Sequence, residues 1–374
     1  MSDLKLKTIQ KNIEHLKKEG QEEYGRGQWD AAITSFKAMR ELGRQTNDDD
    51  AQGFAYYCIA MCYREKAEKG EPRFWNESAL TFETSLTFYT LDSPLAKKEK
   101  AKILGKLAYV HKTLGFYNRA LRNLGEAIEI SRGLEDHMRL AELLNDKATM
   151  LMESGAYEDA HDIFDENLEV LAKLKEKYDR LTGTEKTELN SISQELARGY
   201  NNIGECARVE RDFQKAYEYF QKCLEATDQI IPENPKAQAK MHAYLGLGKC
   251  YAQTNTSPDE ALENSRKARV IAERIGHLKE VASSYKIDAL VRENAGDFDE
   301  AISTYKKVLM IYEEQIGMVR DRALVLAEMG DTYIKAERYD EARESLSKSR
   351  NAFEQMGMAT HVAFVDKLKS KVNQ

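Results

Sequence analysis

The segment RDFQKAYEYF, residues 211–220, decides the fold of this chain, because its pattern recurs along the sequence. A small residue, here Ala216, is followed four residues later by a bulky one, here Phe220, usually after an upstream glycine and aromatic residue. The copies lie 40 to 56 residues apart. A period near 40 indicates stacked helical units that bury their apolar faces only against their neighbours. The small residues of the eight copies are Ala32, Ser78, Ala120, Ala160, Ala216, Ala261, Ala301 and Ala342.

Each copy also contains the signals that join two helices. A close-packing pair such as Ile203-Gly204 lies about a dozen residues before the small residue, and it lets two antiparallel helices approach closely. A glycine such as Gly155 or Gly296 can adopt a positive φ and end the first helix. An acidic residue such as Asp297 favours the start of the second helix. The repeated unit is therefore predicted to be a helical hairpin.

Three segments carry a family resemblance, since small and aromatic positions recur in them together. They resemble tetratricopeptide repeats, and their period near 40 is longer than the usual period of about 34 residues. In this they are similar to the long-helix type of rapsyn, kinesin light chains and spindle-orientation adaptors. The resemblance implies an all-α, right-handed superhelical solenoid of about eight hairpins over residues 1–357. The segments are LAYVHKTLGFYNRALRNLGEAIE (107–129), IGECARVERDFQKAYEYFQKCLE (203–225) and MGDTYIKAERYDEARESL (329–346).

Two segments depart from the repeat. Residues 175–193 form a polar insertion with a break expected at Gly183, and it is either a hinge, a partner-binding finger or a tolerated insertion at the edge of the array. Residues 358–374 contain Phe364 and several aliphatic residues with polar residues between them. This pattern predicts a helix that caps the open apolar end of the array, with a docking helix for a second chain as the alternative.

Composition restricts the class of partner and the location. The net charge is −7 with 32% charged residues, and this acidity gives no reason to propose nucleic acid as a general partner, because phosphate binding needs a concentrated basic surface. No run of apolar residues approaches the length that spans a bilayer. The first twenty residues carry charges throughout and lack the apolar core of a secretory signal, which predicts a cytoplasmic location.

No residue pattern indicates chemistry. The five cysteines form no CxxC pair, and the seven histidines are scattered, so neither a metal nor a cofactor is expected. Cys58 and Cys62 lie four apart, which suits buried packing residues better than half of a metal site. There is no GxSxG elbow and no phosphate loop ending in Gly-Lys-Ser/Thr. We therefore predict that the protein is not an enzyme.

The first helix of each hairpin is expected to line the concave face of the array. Four bases on this face would attract an acidic segment through charge-assisted bonds, while asparagines would bond its backbone. The alternative is that the bases pair with nearby glutamates on a solvated face. If Arg208 and Lys249 face solvent, glutamate at both positions should weaken partner binding roughly tenfold or more and barely affect folding. The candidate partner-binding residues are Tyr57, Tyr109, Asn145, Arg198, Asn201, Arg208, Lys249 and Lys286.

Two functional hypotheses follow from a repeat array without a catalytic motif. The first is a non-catalytic scaffold or adaptor that binds a segment of a partner protein in the concave groove. The second is a structural assembly subunit of a cytoskeletal or axonemal complex, in which the arrays pack edgewise. A basic and aromatic groove would favour the adaptor, whereas a charge-paired groove with an apolar outer patch would favour the subunit. The sequence leaves the oligomeric state and the identity of the partner open.

Overall fold

The computed structural model describes residues 3–69, 71–90, 93–154, 156–180, 186–313, 319–355 and 358–372. This part of the chain contains seventeen α-helices and no β-strand, which confirms the all-α prediction. The helices are α1 Asp3–Gly25, α2 Trp29–Thr46, α3 Asp49–Glu68, α4 Phe74–Leu86, α5 Pro94–Thr113, α6 Tyr117–Gly133, α7 His137–Ser154, α8 Tyr157–Arg180, α9 Lys186–Val209, α10 Phe213–Thr227, α11 Glu233–Thr254, α12 Pro258–Ile275, α13 Leu278–Asn294, α14 Phe298–Glu313, α15 Val319–Lys335, α16 Tyr339–Gln355 and α17 Ala359–Val372.

The contacts of the chain divide it into two compact units, Met1–Lys177 and Tyr178–Gln374. In the first unit, α1 packs on α2, α3 on α4 and α5 on α6. In the second unit, the packed pairs are α9 with α10, α11 with α12, α13 with α14 and α15 with α16. Each unit is thus a stack of helical hairpins, and the predicted helical repeat solenoid is confirmed. Within the second unit α17 packs on α15 and α16.

The repeat pattern of the sequence is a burial pattern. All eight small residues lie in the second helices of the hairpins, and each is fully buried. The residues four positions later are buried as well, and Phe36, Phe82 and Phe220 are among the largest fully buried side chains. Because residues four apart share one face of a helix, the two positions form the contact stripe of the second helix.

Close approach of helices explains the recurring glycines. A Cβ atom placed on Gly246 of α11 would lie 2.2 Å from the Phe220 ring of α10, and one on Gly204 of α9 would lie 2.9 Å from it. A Cβ on Gly330 would similarly lie 2.6 Å from Leu346. These glycines give the bulky residue of the repeat its space, because protein interiors have no spare room for a methyl group.

The turns between the helices use the left-handed backbone region. Gly27, Gly115 and Gly296 have φ values of 72°, 81° and 84°. Arg211 and Glu337 occupy the same place before an aromatic residue and have φ values of 65° and 59°. The turn geometry is therefore kept where another residue replaces glycine, although the backbone of that residue adopts a left-handed region that L-residues rarely use. The predicted turn at Gly155 and the predicted break at Gly183 lie outside the described residues.

Helix α17 has more than the one apolar face that its sequence suggested. Val365, Leu368 and Val372 are buried in the core of the last hairpin, which also contains Phe353. Phe364, in contrast, is 52% exposed. Phe364 therefore points away from the buried contact that Val365 makes, because adjacent residues of a helix point about 100° apart.

The cysteines belong to the cores. All five are buried and free. Burial raises the pKa of Cys62, Cys223 and Cys250 to about 12, since the thiolate loses its hydration. Within the described ranges, no three His, Cys, Asp or Glu side chains are grouped to hold a metal ion. No helix in the same ranges is long and apolar enough to cross a membrane.

The buried small residues give a prediction about stability. Leucine in place of Ala120 or Ala301, which are both fully buried, should lower the free energy of unfolding by about 1–3 kcal/mol through overpacking. The control is Gly125→Ala in α6, where an added Cβ meets nothing within 4 Å. That change should raise stability by about 0.5–1 kcal/mol, because alanine favours the helix. Urea unfolding that gives all three variants the wild-type midpoint would contradict the assigned register.

Candidate partner-binding grooves

The first helices of the second unit lie side by side and line one groove. Its residues come mainly from α9, α11, α13 and α15, and from α17, and its volume is about 1040 Å³. We call this cavity the second-unit groove. Its apolar lining consists mainly of Ile287 and Leu290 of α13, Ala327 of α15, and Phe364 and Leu368 of α17, and we call this lining the floor. The volume of the groove lies at the upper end of the range of about 300–1,000 Å³ that is typical of small-molecule pockets, so the groove has room for a short stretch of polypeptide.

The rim of the second-unit groove is rich in bases. The lining contains seven basic side chains against three carboxylates, in a protein whose net charge is −7. Such local excess is what attracts an oppositely charged partner, because low-dielectric walls focus the field of the groove. The carboxylates are Glu293, Glu328 and Asp331, and the bases are Arg208, Arg211, Lys249, Lys286, Lys335, Lys367 and Lys371.

One end of the groove is organised around Glu205. Its carboxylate accepts hydrogen bonds from Lys249 Nζ at 2.9 Å and from Arg208 Nη2 at 2.7 Å, while Arg208 Nη1 donates to Gln253 at 2.9 Å. Burial opposes ionisation of Glu205, but the two neighbouring cations outweigh it and lower its pKa to about 2. The Arg208 side chain is only 14% exposed. The expectation that Arg208 simply faces solvent is therefore wrong.

The middle of the groove is also ion-paired. Lys286 Nζ lies 2.8 Å from Glu328 Oε1, and Lys335 Nζ lies 3.0 Å from Asp331 Oδ2 and also contacts Glu293. The Glu293 side chain is nearly buried, and Thr332 of α15 donates a further hydrogen bond to it. This cluster connects α13 to α15, and its three carboxylates compensate the charges of both lysines.

The bases at the two edges of the groove differ from those of the middle. Arg211 follows α9 and Lys367 lies on α17, and both are exposed. Within the described part of the chain neither forms an ion pair, whereas Lys371 lies 3.5 Å from Asp331. Sequence reasoning missed Arg211 and Lys367, although Arg211 stood where other repeats carry glycine. That replacement was the available signal.

Arg198 and Asn201, predicted to share the groove, line a separate cavity of about 450 Å³ nearer the start of α9. The Arg198 guanidinium lies 3.3 Å from Glu195. Asn201 Nδ2 donates to Asn202 Oδ1 at 3.3 Å, and the buried Oδ1 of Asn201 has no hydrogen-bond partner. Of the four predicted bases, Arg208, Lys249 and Lys286 are thus brought together and Arg198 is not. Arg198 lies nearer the start of α9 than Arg208 does, and this distance along the helix separates it from the other three bases.

The three candidates of the first unit are not brought together. Lys102 Nζ lies 4.3 Å from the centre of the Tyr57 ring, in a cavity of about 200 Å³. Tyr109 is 45% exposed and lies beside Arg64, whose guanidinium carbon is 5.9 Å from the ring centre. Asn145 is buried inside α7 and does not offer its amide to a ligand.

Comparison with known families agrees with the hairpin geometry. One tetratricopeptide-repeat family profile matches residues 197–229, and a second matches residues 280–355. The chain therefore contains tetratricopeptide repeats in these two segments. The second match covers the two hairpins from α13 to α16, so the tetratricopeptide repeats supply most of the floor of the second-unit groove. No curated protein matches the chain by sequence.

Several solved structures share the tetratricopeptide-repeat fold of the chain. The apo form of RapI has a TM-score of 0.63 at 17% identity, over 82% of this chain and 99% of RapI. Aspartyl phosphate phosphatase F from Bacillus subtilis has a TM-score of 0.61 at 16% identity, over 86% of this chain and 74% of the phosphatase. A Rap protein complexed with Competence and Sporulation Factor has a TM-score of 0.52 at 14% identity, over 98% of both chains. At these identities the likeness shows the fold alone.

Proposed function

We propose that the protein is a non-catalytic adaptor that binds an acidic segment of a partner protein in the second-unit groove. Tetratricopeptide-repeat arrays are protein-interaction scaffolds, and their surfaces are extended and concave. The observation that carries the proposal is the basic rim of a large groove in an acidic chain. A Rap protein of this fold has been solved with Competence and Sporulation Factor bound, which supports ligand binding by the same architecture.

The charge layout favours a polypeptide over a nucleic acid. Three carboxylates lie among the bases of the groove, and Glu328 Oε2 is buried without a hydrogen-bond partner. A continuous phosphate backbone would meet these acids at close range, whereas a polypeptide can place carboxylates at the edges and an N–H group near Glu328. The partner segment is therefore expected to be acidic at separated positions.

The proposal of a non-catalytic role rests on the sequence, in which no catalytic pattern occurs. One protein of similar fold is an aspartyl phosphate phosphatase, so the proposal is tested separately by incubating the protein with a protein that carries an aspartyl phosphate. We expect the phosphorylated fraction to decay at its spontaneous rate. Accelerated decay would overturn the non-catalytic assignment and leave the groove proposal to its own test.

Partner capture tests the groove. Arg211→Glu combined with Lys286→Gln should lower partner recovery roughly tenfold or more, since each charge-assisted contact contributes about 1.5–3 kcal/mol. Folding should be largely preserved, because Arg211 is exposed and glutamine at position 286 keeps an N–H donor for Glu328, the ion-pair partner of Lys286. The charge-matched control is Lys306→Glu with Lys307→Gln, which are exposed on α14 away from the groove. Quantitative mass spectrometry of affinity-purified wild type and variants from native cells is the measurement.

A structural assembly subunit is the second candidate, and exposed aliphatic side chains on second helices favour it. Val270 of α12 is 55% exposed and Met310 of α14 is 63% exposed. The partner-capture experiment separates the two candidates. If groove variants retain all partners while Val270→Ser with Met310→Ser loses them, the edgewise subunit replaces the adaptor.

A further inference from the structure

Helix α17 presents three different faces, and only two of them are explained by capping. One face buries Val365, Leu368 and Val372 in the core of the last hairpin. A second face is held on α16 by polar contacts, with Arg350 Nε 2.8 Å from Asp366 Oδ1 and Lys369 Nζ 3.2 Å from Ser347 Oγ. These two faces account for the attachment of the helix.

The third face of α17 lines the second-unit groove with Phe364, Lys367, Leu368 and Lys371. This spacing of three, four and seven residues places all four side chains along one stripe of the helix. A cap is expected to turn a polar face to solvent. Phe364 is instead 52% exposed and lines the groove, which leaves a large aromatic surface uncovered.

This face of α17 and the end of α9 each supply the groove with a base that has no ion-pair partner in the described part of the chain. Lys367 on α17 and Arg211 after α9 both lack an ion pair within the described residues, while Lys371 already lies 3.5 Å from Asp331. An occupant of the groove therefore meets an uncompensated cation on α17, another after α9, and the exposed ring of Phe364. Carboxylates would satisfy the cations, and an apolar side chain would cover Phe364.

We propose that α17 is a wall of the binding groove, and that the bound segment of the partner protein carries an apolar side chain flanked by carboxylates. This inference rests on the proposed function and deepens it. Phe364 binds the apolar side chain, and Lys367 binds a flanking carboxylate. Arg211 holds a second carboxylate at the opposite wall.

Peptides of defined composition test the inference by fluorescence anisotropy. The probe is a fluorescein-labelled peptide that repeats Glu-Glu-Leu. Two comparison peptides with the same label repeat Glu-Glu-Ser and Gln-Gln-Leu. Wild-type protein should bind Glu-Glu-Leu about tenfold or more tightly than either, because each of the others lacks one of the two contacts. Phe364→Ala should abolish the preference for leucine over serine and keep much of the preference for glutamate over glutamine.

Lys367→Glu should have the complementary effect. This variant should lose much of the preference for glutamate over glutamine and keep the preference for leucine over serine. The matched controls are Phe116→Ala, whose ring is 47% exposed in the first unit, and Lys307→Glu on α14. Both controls should bind all three peptides as wild type does. Circular dichroism should show unchanged folding for every variant, because the altered side chains are exposed.

The possible failures are distinguishable. If wild type does not prefer Glu-Glu-Leu, or if Phe364→Ala and Lys367→Glu leave both preferences unchanged, the assignment of α17 is overturned. The adaptor proposal then still depends on the loss of native partners by the Arg211 and Lys286 variant. If that variant also retains its partners, the groove itself is not the binding site.

Discussion

Replacing Phe220 with alanine should lower the free energy of unfolding by about 3–5 kcal/mol, the range for large-to-small changes at buried aromatic residues. The ring is fully buried and fills the space between α9, α10 and α11, where Gly204 and Gly246 leave it room. Its loss leaves a cavity at the junction of two hairpins. Urea unfolding followed by circular dichroism measures the effect, and a loss below about 1 kcal/mol would show that the site collapses around the smaller side chain.

A double-mutant cycle shows whether the glycines exist to accommodate this ring. Gly246→Ala alone should cost about 1–3 kcal/mol, because its Cβ would lie 2.2 Å from the Phe220 ring. In a Phe220→Ala background the same change should cost little or be stabilising, since the ring is gone and alanine favours the helix. Additive costs would contradict the steric explanation.

The second large effect concerns the ion-paired end of the groove. Arg208→Glu with Lys249→Glu should lower the free energy of unfolding by about 2–4 kcal/mol, approaching the cost of breaking a buried ion pair. The changes would surround the Glu205 carboxylate with two further carboxylates instead of two cations. This differs from the sequence-based expectation that folding barely changes, because Arg208 is mostly buried against Glu205.

The pH dependence of this loss identifies its cause. In wild type the pKa of Glu205 is about 2, below its ordinary value of 4.5, so its ion pairs stabilise the fold above pH 4.5 and cease to do so as the pH falls toward 2. In the double variant, like charges raise the carboxylate pKa values, so protonation relieves the repulsion. The stability deficit should therefore be greatest near neutral pH and smaller at pH 3. A deficit that does not change with pH would indicate lost packing of the Arg208 stem.

The repeat register could be read from the sequence because it depends on sterics within one hairpin. Ala216 and Phe220 lie on one helix face, and only small residues fit where two helices touch. The ligand-facing positions could not be read with the same precision. Asn145 was expected on the concave face of the array and is instead buried.

The charge pairing of the groove depends on distances that sequence spacing does not contain. The pair between Glu205 and Arg208 is local and was anticipated as an alternative, but the bond from Lys249 to Glu205 joins residues 44 positions apart. Whether it forms depends on how neighbouring hairpins are rotated against each other. For the same reason Lys367 could not be assigned to the groove before the placement of α17 was known.

The division into two units has a consequence for spectroscopy. The chain contains two tryptophans, Trp29 and Trp75, and both lie in Met1–Lys177. Tryptophan emission therefore reports the unfolding of the first unit, while the far-ultraviolet signal reports the helices of both. Coincident transitions by the two probes would show that the units unfold cooperatively, and separated transitions would give each unit its own stability. A ligand of the second-unit groove would then shift the far-ultraviolet transition and leave the tryptophan transition in place.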